Sequence, residues 1–146
     1  PCTRGRGGLR AGAAKAEGDG ATPRGVHAIV GALYRADRMA RPVRWALPIG
    51  PFDLWSDDGE DPDYNQLVRA PHPFSHERLR RGDPMYDLVL ITDWNWPRAT
   101  RGRGSAIFIH AWRKPGHPTA GCIGLAPGDL RAITRALGPE SRLIVP

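Results

Sequence analysis

The strongest signal along the chain is a set of short apolar runs, each bounded by glycine, proline or charge. Arg24 to Arg35 alternates around Val26, Ala28, Val30 and Tyr34, the two-residue period of a half-buried strand. It leaves the turn Glu17-Gly18-Asp19-Gly20-Ala21-Thr22-Pro23, whose glycines and proline suit a tight, irregular backbone. Tyr86 to Thr92 is an apolar, β-branched run of the kind that fills a buried strand. Ser105 to His110 is another, and its alternation puts Ala106, Phe108 and His110 on one face. Between these runs, Arg41 to Asp63 is broken by prolines and reads as a long surface loop, and Ser75 stands where it could cap a short helical turn through Arg80. Only Pro127 to Leu137 repeats with a helical period. Leu130, Ile133, Ala136 and Leu137 form one stripe, Pro127 opens the segment, Asp129 lies in its first turn, and Gly138 follows its end. Two or three strands followed by one helix predict a mainly β domain with one or two helices, an α+β fold.

Composition narrows this picture. A chain of 146 residues and 16.0 kDa fits one domain over 1–146, with a core that needs no staples. Hydrophobic residues are 40% and no stretch repeats, which excludes disorder, collagen, coiled coil and solenoid. The longest purely apolar run is four residues, too short to cross a bilayer. A sequence that begins at Pro1 rather than Met reads as a trimmed or processed product, so its lack of a signal peptide is uninformative. The two cysteines, Cys2 and Cys122, make no disulfide framework, and Cys2 is expected to be a small strand residue.

Charge changes the picture further. The net charge is +6, and 19 of the 21 basic residues are arginine. Asp53 to Asp63 holds six acids and no base, whereas Arg98 to Lys114 holds five bases and no acid. A basic rim can attract nucleic acid or a polymer bearing carboxylates, although a solvated face reads the same way. The chain has no recognition helix, zinc finger or aromatic-interleaved RNA motif, so no nucleic-acid partner is expected. His72 and His76 have the spacing of a zinc pair, but no further ligand lies at a suitable distance, and no metal site is predicted.

The stretch Gly104 to Leu125 carries the chemistry. His110 ends a strand, and Cys122 follows inside Thr119-Ala120-Gly121-Cys122-Ile123-Gly124. Flanking Gly121 and Gly124 would leave the backbone around the cysteine uncrowded. A free thiol has a pKa near 8.5, so it needs a base or a cation to act as a nucleophile at neutral pH. His110 could supply that, with Cys122 as nucleophile and nearby N–H groups as oxyanion donors. Such a pair is expected to bring the thiol below its ordinary value. His117, in a proline-flanked loop, is the rival base. A small buried cysteine beside an unrelated histidine is the alternative to both.

Five blocks in order resemble the L,D-transpeptidase catalytic domain family (YkuD-type fold), in its proteobacterial single-domain branch. They are Glu17 to Pro23, Tyr64-Asn65, Tyr86-Asp87-Leu88, Gly104 to His110, and Pro118-Thr119-Ala120-Gly121-Cys122, spanning about Arg4 to Val145. The resemblance implies a β-sandwich-like catalytic domain acting on diaminopimelate-containing peptidoglycan stem peptides in the periplasm or cell envelope. It implies Cys122 as nucleophile, His110 as base and Gly121 in the nucleophile turn, with no cofactor. Tyr64, Asn65, Tyr86, Asn95, Arg113 and Thr119 are the candidate substrate-binding residues, and the first four of them could instead serve packing. Two family positions differ here: Ala120 stands where many members have a second histidine, and Gly124 where many have an arginine. Arg113, Lys114 or Arg103 could supply the missing cation. The resemblance leaves open a hydrolase on the same fold, an L,D-carboxypeptidase or endopeptidase. A more distant alternative is a non-catalytic module for an anionic polymer. Sortase-like and papain-like enzymes fit less well, because they separate or order their His and Cys differently.

Overall fold

The alternating run after the Glu17–Pro23 turn becomes the longest strand of the protein. The computed structural model describes residues 1–146. Its strands are β1 (Cys2–Thr3), β2 (Leu9–Arg10), β3 (Thr22–Pro23), β4 (Gly25–Tyr34), β5 (Ala46–Pro48), β6 (Asp53–Ser56), β7 (Leu67–Arg69) and β8 (His76–Arg78). They continue with β9 (Leu88–Thr92), β10 (Phe108–Ala111) and β11 (Ile123–Leu125), then the helix α1 (Pro127–Ala136) and β12 (Arg142–Val145). A seven-stranded sheet runs in the order β1-β11-β10-β9-β4-β12, with β5 also paired to β4. A three-stranded sheet, β7-β6-β8, stands apart from it. The fold is mainly β with one α-helix, as the alternation predicts.

The period-two pattern of residues 106–111 separates the core into two halves. Ile107, Ile109 and Ala111 pack on one face with Leu88, Leu90 and Leu130 of α1. Ala106 and Phe108 face the other way, into a cluster with Trp55, Leu79, Tyr86, Val89 and Cys122. Trp55 meets Phe108 edge-on at 5.0 Å, which fastens the small sheet onto the large one.

Several local expectations need correction. Arg41 to Asp63 is not a surface loop: it contains β5 and β6, and β6 is buried along its whole length. Two of its six acids, Asp53 and Asp61, fold inward with it, while Glu60 and Asp63 stay exposed. Asp53 accepts from the Gly50 N–H, and Asp61 accepts from Ser56 and from the Asp63 N–H. No helical turn follows Ser75, because pairing of His76 and Glu77 with Ser56 and Trp55 holds that segment extended as β8. Eleven strands precede the helix rather than two or three, since strands of two to four residues are too short to show a period. Tyr86 lies in a 3-10 turn ahead of β9, capped by Asp83. On α1, Ile133 is 42% exposed, and Thr134 takes the buried position instead, donating to the Leu130 carbonyl at 2.7 Å.

Candidate active site

β10 and β11 run parallel and side by side, with Ile109 opposite Ile123 and His110 opposite Gly124. This register brings His110 and the residue just before β11, Cys122, to one end of the sheet. Both line a single cleft of about 600 Å³. Cys2, in contrast, is exposed on the edge strand β1, so Cys122 is the only thiol in the cleft.

The turn before β11 is shaped by its own residues. Thr119 Oγ1 donates to the Cys122 carbonyl at 2.6 Å and accepts from the Gly121 N–H at 3.1 Å. Gly121 has φ +144°, and a Cβ there would meet the Ala21 carbonyl oxygen at 3.1 Å and Ile107 at 3.2 Å. Glycine is therefore required at this position on both conformational and steric grounds. Gly124 differs from its expected role. It does not leave space for substrate, because a Cβ there would stand 2.4 Å from Thr3 Oγ1 of β1 and 3.2 Å from Trp112. The same obstruction explains why no arginine stands at this position.

The thiol sits deep in the site. Cys122 Sγ–H donates to the Ala106 carbonyl at 3.0 Å, and the Phe108 N–H donates to Sγ at 3.4 Å. Burial pushes the Cys122 thiol up to about 12, and the negative charge of Glu77 adds to the rise. The expectation of a depressed thiol pKa is thus overturned by burial, which disfavours the thiolate. His110 is 2% exposed, and burial lowers it from its ordinary value. Its Nδ1 lies 2.8 Å from the Ala111 carbonyl, which can only accept, so Nδ1 carries the proton and Nε2 is left free to take one. The Tyr86 ring meets His110 at 5.1 Å and fixes its plane. The pair is therefore set as neutral thiol and neutral imidazole. Alkylation of Cys122 by iodoacetamide should accordingly titrate above the free-thiol value of about 8.5. A midpoint below that value would show a preformed ion pair.

The other expected site residues divide. Tyr86, Arg113 and Thr119 line the cleft, as does His117. Tyr64, Asn65 and Asn95 do not, and their hydrogen bonds are internal. The Tyr64 hydroxyl donates to Glu17. Asn65 Oδ1 accepts from Trp55 Nε1 and from the Ala106 N–H, both at 2.9 Å, while its amide nitrogen donates to the Asn95 carbonyl at 2.7 Å. Asn95 Nδ2 donates to the carbonyls of Thr100 and Gly104. Asn65 therefore holds the N–H of Ala106, the residue whose carbonyl receives the thiol, and its φ of 60° suits asparagine better than alanine. Asn65→Ala should cost about 2 kcal/mol or more of unfolding free energy, since two buried N–H donors lose their acceptor. An unfolding midpoint in urea equal to that of the wild type would remove Asn65 from this role.

Of the proposed replacement cations, Arg103 stacks over Trp94 at 5.3 Å and donates to the Gly12 carbonyl, away from the cleft. Lys114 is exposed and does not line the cleft either, so Arg113 alone of the three reaches it. Sequence reading missed Arg6, Arg78, Arg81 and Glu77, which come to the cleft from the N-terminal segment and from around β8. Their only sequence signal was a scatter of arginines that the whole chain shares. Arg81 is held by Asp83 at 2.6 Å, whereas Arg6, Arg78 and Arg113 form no ion pair. His72 is not free for a metal: its Nε2 lies 2.6 Å from the buried Asp61 carboxylate.

A mainly β domain with a thiol, three imidazoles and four arginines around one cleft has the make-up of a catalytic domain. The chain matches the family model described as YkuD, L,D-transpeptidase catalytic domain, over residues 1–145, and it belongs to that family. The family is enzymatic, acts on peptidoglycan peptides and is typically associated with the cell envelope. No curated protein and no solved structure matches the chain. No helix is long and apolar enough to cross a membrane.

Proposed function

We propose that residues 1–146 act as one cysteine-dependent acyltransferase domain that cross-links peptidoglycan stem peptides in the periplasm or cell envelope. The observation that carries this reading is the convergence of Cys122 and a tautomerically fixed His110 in an arginine-lined cleft. His110 Nε2 takes the Sγ proton as Sγ attacks the carbonyl of an L,D bond at diaminopimelate. The Gly121 N–H is committed to Thr119, so the Cys122 N–H is the amide of the turn suited to receive the oxyanion. The imidazolium then returns its proton to the departing D-residue amine, leaving a thioester on Cys122. A second amine attacks that thioester, the new amide leaves, and the sulfur recovers its proton through His110. Arg6, Arg78 and Arg113 have no carboxylate of their own and suit the carboxylates of the donor peptide.

Incubation with purified stem tetrapeptides, followed by mass analysis of the products, tests the proposal. Cross-linked dimers are expected. Shortened monomers alone would assign a hydrolase on the same fold. No product, with salt-sensitive polymer binding, would assign a binding module.

A further inference from the structure

Glu77 reaches the cleft from outside the large sheet. It sits in β8 opposite Trp55 of β6, and residues paired in this way share a face of their sheet. That face is the one that packs on Phe108. One Glu77 carboxylate oxygen accepts from the Tyr86 hydroxyl at 2.6 Å. The buried Tyr86 ring in turn meets the His110 imidazole edge-on at 5.1 Å, with 67° between the two planes. Glu77, Tyr86 and His110 thus form a line of contacts from the small sheet to β10. Arg81 closes over this line, its guanidinium carbon 5.2 Å from the centre of the Tyr86 ring. Asp83 grips Arg81 at 2.6 Å and also caps the turn that carries Tyr86.

Each link restrains the next. A phenol buried among apolar groups needs an acceptor for its proton, and the Tyr86 hydroxyl finds one in Glu77. The Ala111 carbonyl holds His110 at Nδ1 alone, which sets the tautomer but lets the ring rock about that bond. The Tyr86 ring blocks the rocking, so the imidazole is held at two places. Toward the sulfur itself, Glu77 is a hindrance. Burial raises its carboxyl above the ordinary value, with the Tyr86 hydroxyl and Arg81 opposing the rise. Its charge then adds to the burial that pushes the Cys122 thiol up. Any gain that Glu77 brings to acylation therefore comes through Tyr86.

We infer that Glu77 and Tyr86 are positioning residues for acylation: the carboxylate anchors the phenol, and the anchored ring keeps the His110 imidazole in the orientation that takes the Cys122 proton. The inference rests on the acyl-transfer reading above. Neither side chain bonds the donor in this scheme, because the Tyr86 hydroxyl proton is spent within the protein. The anchor comes from β8, so the small sheet is part of the catalytic apparatus and not an appendage to it.

Thioester formation in a single turnover, read by intact-protein mass with a stem tetrapeptide as donor, tests the inference. Tyr86→Phe keeps the ring and removes its anchor. It should lower the saturating rate about tenfold, the scale of a lost charge-assisted hydrogen bond, and leave the half-saturating donor concentration unchanged. Glu77→Ala should lose as much, and Glu77→Gln, which keeps an acceptor for the phenol, should recover the rate. The double variant Tyr86→Phe/Glu77→Ala should be no slower than either single one, because both act through one bond. If Glu77→Ala does not fold, Tyr86→Phe decides alone. The thiol supplies a second readout: Glu77→Gln should move the midpoint of Cys122 alkylation down in pH, and Tyr86→Phe should leave it in place. The other charges facing these two groups, Lys15, Glu17, Asp57 and Arg81, are the same in every variant. A Tyr86→Phe rate equal to the wild type, or losses that multiply in the double variant, would overturn the positioning role and leave the acyl-transfer reading intact. So would a raised half-saturating concentration at an unchanged rate, which would assign Tyr86 to donor binding. An alkylation midpoint unmoved by Glu77→Gln would overturn it too, since the carboxylate would then not stand in the cleft. Absence of any donor adduct on wild-type Cys122 would instead overturn the acyl-transfer reading, and the positioning role with it.

Discussion

Cys122→Ala should eliminate both the donor thioester and all products, a loss of at least about a thousandfold, because no other group in the cleft can form the acyl-enzyme. Cys2 cannot substitute, since it lies exposed on β1, where it is paired to Leu125. The fold should survive. The change removes one sulfur from the cluster around Phe108 and Trp55 and costs about 1 kcal/mol, the scale of a small core deletion. Intact-protein mass after incubation with a stem tetrapeptide reads the adduct directly, and a thermal melt confirms folding. Cys2→Ala should behave as the wild type. If the Cys2 variant were the inactive one, the cleft described here would not be the active site.

His110→Gln should lower turnover by at least about a hundredfold, the usual share of a positioned general base, whereas His117→Gln should change it little. Both histidines line the cleft, so proximity alone does not separate them. Fixation does. His110 lies in the paired strand β10, with its ring held by the Ala111 carbonyl and the edge of Tyr86. His117 comes from the loop between β10 and β11, and no hydrogen bond restrains its ring; only its backbone N–H is held, by the Lys114 carbonyl. A base must present the same nitrogen in each encounter, which only a restrained ring does. Because the thiol is neutral at rest, the His110 variant should lose the acylation step itself. Single-turnover measurement of thioester formation would show this. The opposite pattern, with the His117 variant inactive and the His110 variant active, would transfer the role of base to the loop.

The part of the site that was legible in the sequence is the part written by local geometry. A period of two in residues 105–110 places Ala106, Phe108 and His110 on one face whatever the rest of the chain does, and the structure keeps them there. Gly121 before Cys122 likewise encodes a local turn, and the ordered blocks from Glu17 to Cys122 carried the family that the match over 1–145 shows. The helix was visible for the same reason, although its exposed and buried sides were not assigned correctly at Ile133 and Thr134. Everything that depends on residues distant along the chain was hidden. β6 and β8 are too short to announce themselves, and only their pairing makes Trp55 and Leu79 core residues. Asn65 looked like a groove residue but is held inside by Trp55 and the Ala106 peptide. The thiol's high pKa is the clearest case. Sequence supplies the histidine that would lower it, but burial and Glu77 are properties of the packed molecule, and they win because desolvation acts on every ion in the interior regardless of its chain neighbours. The arginine lining of the cleft was decided in the same way, since Arg6, Arg78, Arg81 and Arg113 come together only when separate segments close around one sulfur.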